Sequence, residues 1–228
     1  VTTPDAATGP IAWQLFERDP AGYERWYTTP RGRRADRAEI ALLERLLAPF
    51  ATARSALEVG CGTGHFTRWL AGRIPYVVGL DRAPAMLAEA RRRHARLGLV
   101  QGDAHALPFR DRAVDLSIFI TTLEFLEHPA IALAEAVRVS HRGVLVVALN
   151  RWSLGGISRR WGADARRPLL GRARDFTPAS LRAHASAAAG PRLRAFRWTS
   201  ALFPAGLARV QTALPFGDII GAAVELTA

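Results

Sequence analysis

Three glycines and three acids stand in an order that can hold a ligand. Glu58, Gly60, Gly62 and Gly64 occur in "LEVGCGTGHFT", Asp81 ends "YVVGLD" and Asp103 ends "LVQGD". Glycines let a chain turn sharply and bring its amides close to a ligand where a Cβ would collide. A carboxylate in the position of Asp81 can accept from both hydroxyls of a ribose, and Asp103 from an exocyclic amine such as that of adenine. Glu58 places a negative charge at the same edge, which suits a cationic group better than a phosphate.

The spacing argues against a diphosphate. A dinucleotide turn needs glycine or alanine at the sixth position of G-x-G-x-x-G, and counting from Gly60 that position is His65. A nicotinamide-dependent oxidoreductase is therefore the weaker alternative.

These residues need strands to carry them. Apolar runs at 55–60, 76–81, 99–103, 114–120 and 143–150 alternate with helical patterns near 64–72, 84–96 and 129–139. Strands apolar on both faces, alternating with helices, predict a doubly wound α/β fold with a mostly parallel sheet. Residues 36–47 form a preceding helix, with Asp36 and Glu39 spaced as a capping box. Thr177 and Pro178 open a later helix that Gly190 ends. "RLRAFRWTSAL" and "DIIGAAVELTA" add two strands at one edge, with an antiparallel strand near the C-terminal side of the sheet.

Composition bounds the rest. With 228 residues and 49% hydrophobic content, one core over 1–228 is expected. No apolar run is long enough to span a membrane, and the first residues lack a signal-peptide pattern, so a cytoplasmic protein is expected. Cys61 is the single cysteine and has no partner for a disulfide or a zinc site. The net charge of +11 comes with 31 basic residues that are all arginine. In an alanine-rich chain without lysine that pattern reflects codon bias, and nucleic acid is not an expected partner.

Taken together, "LEVGCGTGHFT", "VVGLDRAPAMLAEAR", "QGDAHALPF" and "VDLSIFITTLEFLEHP" resemble the successive motifs of the S-adenosylmethionine-dependent methyltransferases of the seven-stranded, Rossmann-like class. The resemblance covers about residues 55–150. It implies S-adenosylmethionine as cofactor, with Glu58, Gly60, Cys61, Gly62 and Gly64 around the methionine part and Glu58 near its ammonium. It further implies Asp81 on the ribose, Met86 against one face of the adenine, Asp103 on its amine with Ala104 supplying an amide, and Arg82 and Thr121 among the cofactor-binding residues. Two departures stand out. Ala83 cannot supply the serine cap common before the helix after Asp81, though Pro84 at its first turn partly compensates. Thr121 and Thr122 hold the strand-four end, where they either line the transfer site or satisfy backbone groups.

Methyl transfer from a sulfonium is an in-line displacement, which a dry, aligning pocket can accelerate without a protein nucleophile. A general base, if one is needed, would come from His65, His128 or Glu124, although each also has a structural reading as helix opener, cap or buried neighbour of apolar residues. No Asn-Pro-Pro-Tyr or Asp-Pro-Pro-Tyr follows strand four, which disfavours amino methylation of nucleic-acid bases. Threonines replace the carboxylates a metal-dependent catechol type needs, and one cysteine cannot support arsenic methylation. No metal is expected.

Substrate selection is expected outside the core, in an N-terminal lid and helix (1–50) and an insert (151–176), with 177–228 completing the fold. Tyr23, Trp26 and Tyr27 precede a basic run and are lid candidates, or a helix packed on the sheet edge. Trp152, Arg159 and Arg160 lie in a segment of seven arginines and one acid. Such a run is commonly a solvated face, but tryptophans beside arginines also suit a small acceptor with apolar and anionic parts. The expected function is metal-independent methyl transfer to a small molecule. An inactive binding protein of the same fold is the main alternative, and an RNA methyltransferase a further one.

Overall fold

The computed structural model describes residues 12–161, 170–202 and 214–227. Its sheet has seven strands: β1 Ser55–Val59, β2 Tyr76–Asp81, β3 Gly98–Gln101, β4 Val114–Ile120, β5 Ser140–Leu149, β6 Leu193–Ala201 and β7 Ile219–Leu226. They lie in the order β3-β2-β1-β4-β5-β7-β6. β7 runs antiparallel to both of its neighbours, so the other six strands are parallel to one another. This is the doubly wound, seven-stranded Rossmann-like arrangement expected from the motifs.

Eight helices accompany the sheet among the described residues: α1 Ala12–Phe16, α2 Pro20–Thr28, α3 Pro30–Leu47, α4 His65–Ala71, α5 Pro84–Arg93, α6 Pro129–Val139, α7 Leu154–Trp161 and α8 Pro178–Ala189. Alternate residues of a strand face opposite sides, and the core divides accordingly. Ala56, Ile118 and Leu145 meet Leu42, Leu43 and Leu46 of α3 and Phe66 and Leu70 of α4. Leu57, Val59 and Phe119 meet Leu133 and Ala136 of α6 and Leu181 and Ala185 of α8. Each fully buried leucine of this kind contributes about 2 kcal/mol. Among the described residues no helix is long and apolar enough to cross a membrane.

The expected capping box is absent. α3 starts at Pro30, where Thr29 accepts from the Gly32 amide at 3.0 Å. A threonine cap with proline in the first turn is a strong start, and nothing in 31–35 interrupts the helix before Asp36. Asp36 and Glu39 therefore lie inside α3: Asp36 pairs with His65 at 2.8 Å, and Glu39 is buried. β3 is also shorter than expected, ending at Gln101. Asp103 stands beyond it in a turn, where its Oδ1 accepts from the His105 amide at 2.9 Å. α8 matches the sequence closely, with Thr177 and Ser180 capping each other reciprocally.

Candidate active site

A cleft opens at the C-terminal ends of β1, β2 and β4, where open α/β sheets receive ligands. It encloses about 760 Å³ including its mouth. The floor begins with the turn after β1, whose entry is held by the Gly60 and Cys61 amides donating to the Leu80 carbonyl at 2.7 and 3.0 Å. Gly60 has φ 76° and Gly62 has φ 52°, a region that disfavours side chains. A Cβ on Gly60 would stand 2.2 Å from the Thr122 side chain, so this glycine answers to packing against the protein as well as to ligand approach.

Gly60, Gly62, Asp81, Arg82, Met86, Asp103, Ala104 and Thr121 all line the cleft, as does Tyr23. Asp81 supports the turn: Oδ2 accepts from the Gly62 amide at 2.7 Å and Oδ1 from the Ala83 amide at 2.8 Å. Burial raises its pKa, and these amide bonds oppose the rise. A carboxylate has roughly four lone-pair positions, so these amides leave acceptor capacity for a hydroxyl.

At the other end, burial would raise Asp103, but the His105 amide, the His105 ring and the Arg82 charge outweigh it and hold the carboxyl below its ordinary value. Arg82 lies 3.4 Å from Asp103 and 3.8 Å from Glu127. His105, a cleft residue that motif reading missed, has both ring nitrogens committed. Nδ1 is 2.7 Å from Asp103, and Nε2 accepts from the His128 amide at 3.3 Å. Those partners assign the proton to Nδ1.

Several expected residues do not line the cleft. Glu58 lies beneath the turn, 2% exposed, and accepts from the Thr67 hydroxyl; burial pushes its carboxyl up to about 8. Cys61 is buried toward Gly79, where a Cβ would meet its Sγ at 2.8 Å, and burial raises its thiol pKa. Gly64 adjoins Leu97 and Ala90, which a Cβ there would meet at 3.0 and 3.4 Å.

The three base candidates likewise do not line the cleft. His65 opens α4, pairs with Asp36 and stacks on Tyr27 at 4.0 Å between ring centroids. Glu124 is 1% exposed and accepts from the Leu149 amide at 2.7 Å, tying the end of β4 to the end of β5. His128 occupies the cap position of α6, but its side chain makes no cap bond there.

Of the lid aromatics only Tyr23 lines the cleft; its hydroxyl lies 3.2 Å from that of Tyr27. Tyr27 is buried against His65 and Phe66, and Trp26 points outward. The aromatic wall is completed by Trp13 and Phe16, which no motif marked, and by Phe125, which lies within the strand-four motif but was not singled out. The signal of Trp13 and Phe16 was only a run of apolar residues before α2. Glu24, also unmarked, accepts from the Thr63 hydroxyl and pairs with Arg93 at 3.4 Å, binding α2 to the turn and to α5. Trp152 is half exposed and does not line the cleft. Arg159 and Arg160 fall in α7, with their side chains outside the described residues.

Thr121 carries a conformational cost. Its φ of 48° is in the left-handed region, which a β-branched residue rarely enters. The Thr121 amide donates to the Val147 carbonyl at 2.8 Å, and Thr122 Oγ1 donates to the carbonyls of Gly60 and Ile120, holding the chain in this turn at the cleft wall.

A sheet of this order, with a bare turn after β1, an acid ending β2 and another just after β3, defines the Rossmann-like methyltransferase class. The comparisons agree. Residues 57–148 match the family described as "Methyltransferase domain", which supports an S-adenosylmethionine-dependent methyltransferase of this class. A malonyl-[acyl-carrier protein] O-methyltransferase of Pectobacterium atrosepticum is 34% identical over 122 residues, 52% of this chain and 48% of that protein. The chain thus spans about half the length of that curated relative.

Two solved structures share the fold. A Thermotoga maritima protein described as "SAM-dependent methyltransferase, possible histamine N-methyltransferase" superposes with TM-score 0.76 at 24% identity, covering 93% of this chain and 99% of that one. The N-methyltransferase NodS of Bradyrhizobium japonicum, in complex with S-adenosyl-L-homocysteine, gives 0.65 at 18% identity, covering 96% and 100%.

Proposed function

We propose that this protein transfers the methyl group of S-adenosylmethionine to a small acceptor with an apolar body. The observation that carries the reading is the pairing of Asp81 with the Gly62 amide at the cleft floor, with Asp103 held ionised at the far end. Asp81 would accept from the ribose hydroxyls, Met86 would pack on the adenine, and Asp103 with the Ala104 amide would read its edge. The bare backbone at Gly60 and Gly62 would receive the methionine part. When bound, the donor supplies an electrophilic methyl group on a sulfonium.

The chain's own contribution is alignment and dryness. Trp13, Phe16, Tyr23 and Phe125 wall the cleft with aromatic surface and limit the water beside the reacting groups. His65 and Glu124 make their contacts outside it and His128 does not line it, so the reading requires no dedicated base from among them. An acceptor that needs deprotonation would lose its proton to solvent or arrive ionised, with proximity supplying the acceleration.

The name of the curated relative adds carboxylates carried on an acyl carrier protein to the acceptors worth testing. Formation of S-adenosylhomocysteine, followed over free carboxylates, amines, phenols and carrier-bound malonyl groups, is the direct test. Donor binding without turnover on any of them would favour the second reading, an inactive binding protein. The commitment of His65 to Asp36 and of Glu124 to the Leu149 amide is the observation on its side.

A further inference from the structure

The N-terminal segment holds a residue that completes a helix to which it does not belong. α5 opens at Pro84 with Ala83 in the cap position, and no side chain of its own caps it. The Ala85 amide instead donates to Glu17 Oε1, 2.9 Å away and 68 residues earlier in the chain. A carboxylate suits that place, because the free amides of a first turn carry the positive end of the helix dipole.

Glu17 directly follows α1, whose Trp13 and Phe16 line the cleft. α1 has five residues, too few to hold a helix in water unaided, so its position depends on tertiary ties. The Arg82 guanidinium lies 5.2 Å from the centroid of the Trp13 ring. Phe16 meets Phe125 edge-on at 5.2 Å and Tyr23 at 5.9 Å. Among the described residues of this segment Glu17 adds a directional, charged bond to α5, and α5 carries Met86 into the same cleft. This carboxylate joins the cover of the cleft to its wall.

We propose that Glu17 is a positioning residue that latches α1 over the cleft by capping α5, so that ligand exchange requires this bond to open. The latch belongs to the protein without ligand; only its effect on the methyl donor rests on the function proposed above.

Amide hydrogen exchange on the full chain tests it, comparing wild type, Glu17→Ala, Glu17→Gln and Glu17→Ala/Ala83→Ser. A serine at position 83 can accept from the same first-turn amides without any link to α1. In Glu17→Ala, exchange should quicken about fivefold to tenfold in residues 13–18 and at the start of α5 together. Glu17→Gln, which keeps an acceptor oxygen, should retain most of the protection. In the double variant α5 should recover while residues 13–18 stay exposed to exchange. Protection of 13–18 that survives Glu17→Ala, or returns with Ala83→Ser, would overturn the latch and leave Glu17 a plain cap.

Release of S-adenosylhomocysteine is the second readout, expected to quicken by a similar factor in Glu17→Ala and in the double variant. Unchanged release from Glu17→Ala, with wild type binding normally, also overturns the latch. If wild type binds no S-adenosylhomocysteine while the exchange pattern holds, the donor reading falls and the latch stands.

Discussion

The Asp81 carboxylate accepts from the Gly62 amide at 2.7 Å across 19 residues of sequence, linking the end of β2 to the turn after β1. The same side chain holds the Ala83 amide at the entrance to α5. One residue therefore shapes the floor of the cleft and presents its remaining lone pairs to a ligand. Asp81→Ala should weaken S-adenosylmethionine and S-adenosylhomocysteine at least tenfold in calorimetric titration, while NAD gives no heat with either protein. A signal for NAD alone would replace the methyl donor with a hydride carrier.

Thr121 holds a left-handed conformation at the cleft wall, which costs a β-branched residue about 1 to 3 kcal/mol. Thr121→Gly relieves that strain, less the added entropy glycine brings to the unfolded chain, and should raise stability by about 1 kcal/mol. Loss of the hydroxyl and of a rigid backbone should slow transfer about tenfold. Thermal melts and steady-state rates on one preparation check both parts. Unchanged turnover would show that the strain serves nothing in the reaction.

Burial pushes both Glu39 and Glu58 up to about 8 from an ordinary 4.5. The folded protein therefore keeps protons that the unfolded chain releases. Their contribution to stability is complete below about pH 4.5, declines as pH rises, and is gone above about pH 8. The melting temperature should fall between pH 5 and pH 8.5. Glu39 Oε2 has no hydrogen-bond partner among the described residues, so Glu39→Gln should flatten part of that fall. A melting temperature that climbs over the same interval would contradict both shifts.

Cys61 is 6% exposed, and burial raises its thiol pKa. Thiolate is the reactive form, so the native protein should resist iodoacetamide at pH 7.5 and take one equivalent only after unfolding. Rapid labelling of the native state, read by intact mass, would mean that the turn opens.

Most of the fold was legible because local and global signals agree. Strand and helix runs from Ser55 to Leu149 follow the burial pattern, and Thr177 with Pro178 marked the start of α8. The error at Asp36 and Glu39 had a physical source: their spacing also occurs inside a helix, and the stronger Thr29-Pro30 start lies upstream. Within the cleft, Gly60, Gly62, Asp81, Met86 and Asp103 were readable because turns and strand ends constrain residue type. Trp13, Phe16 and His105 were not, since an aromatic or a histidine beside a loop has many possible partners.

The amino-acid sequence by itself determined the order of strands and helices, the bare turn after β1 and the acids that face it, because glycine conformation and apolar periodicity are local properties. Tertiary structure alone decided which polar groups remain available. It committed His65 to Asp36 and Tyr27, Glu124 to Leu149, and Glu17 to the start of α5. A buried polar group must find a partner or bear the cost of desolvation, and the nearest partner in space is set by packing between segments far apart in the chain.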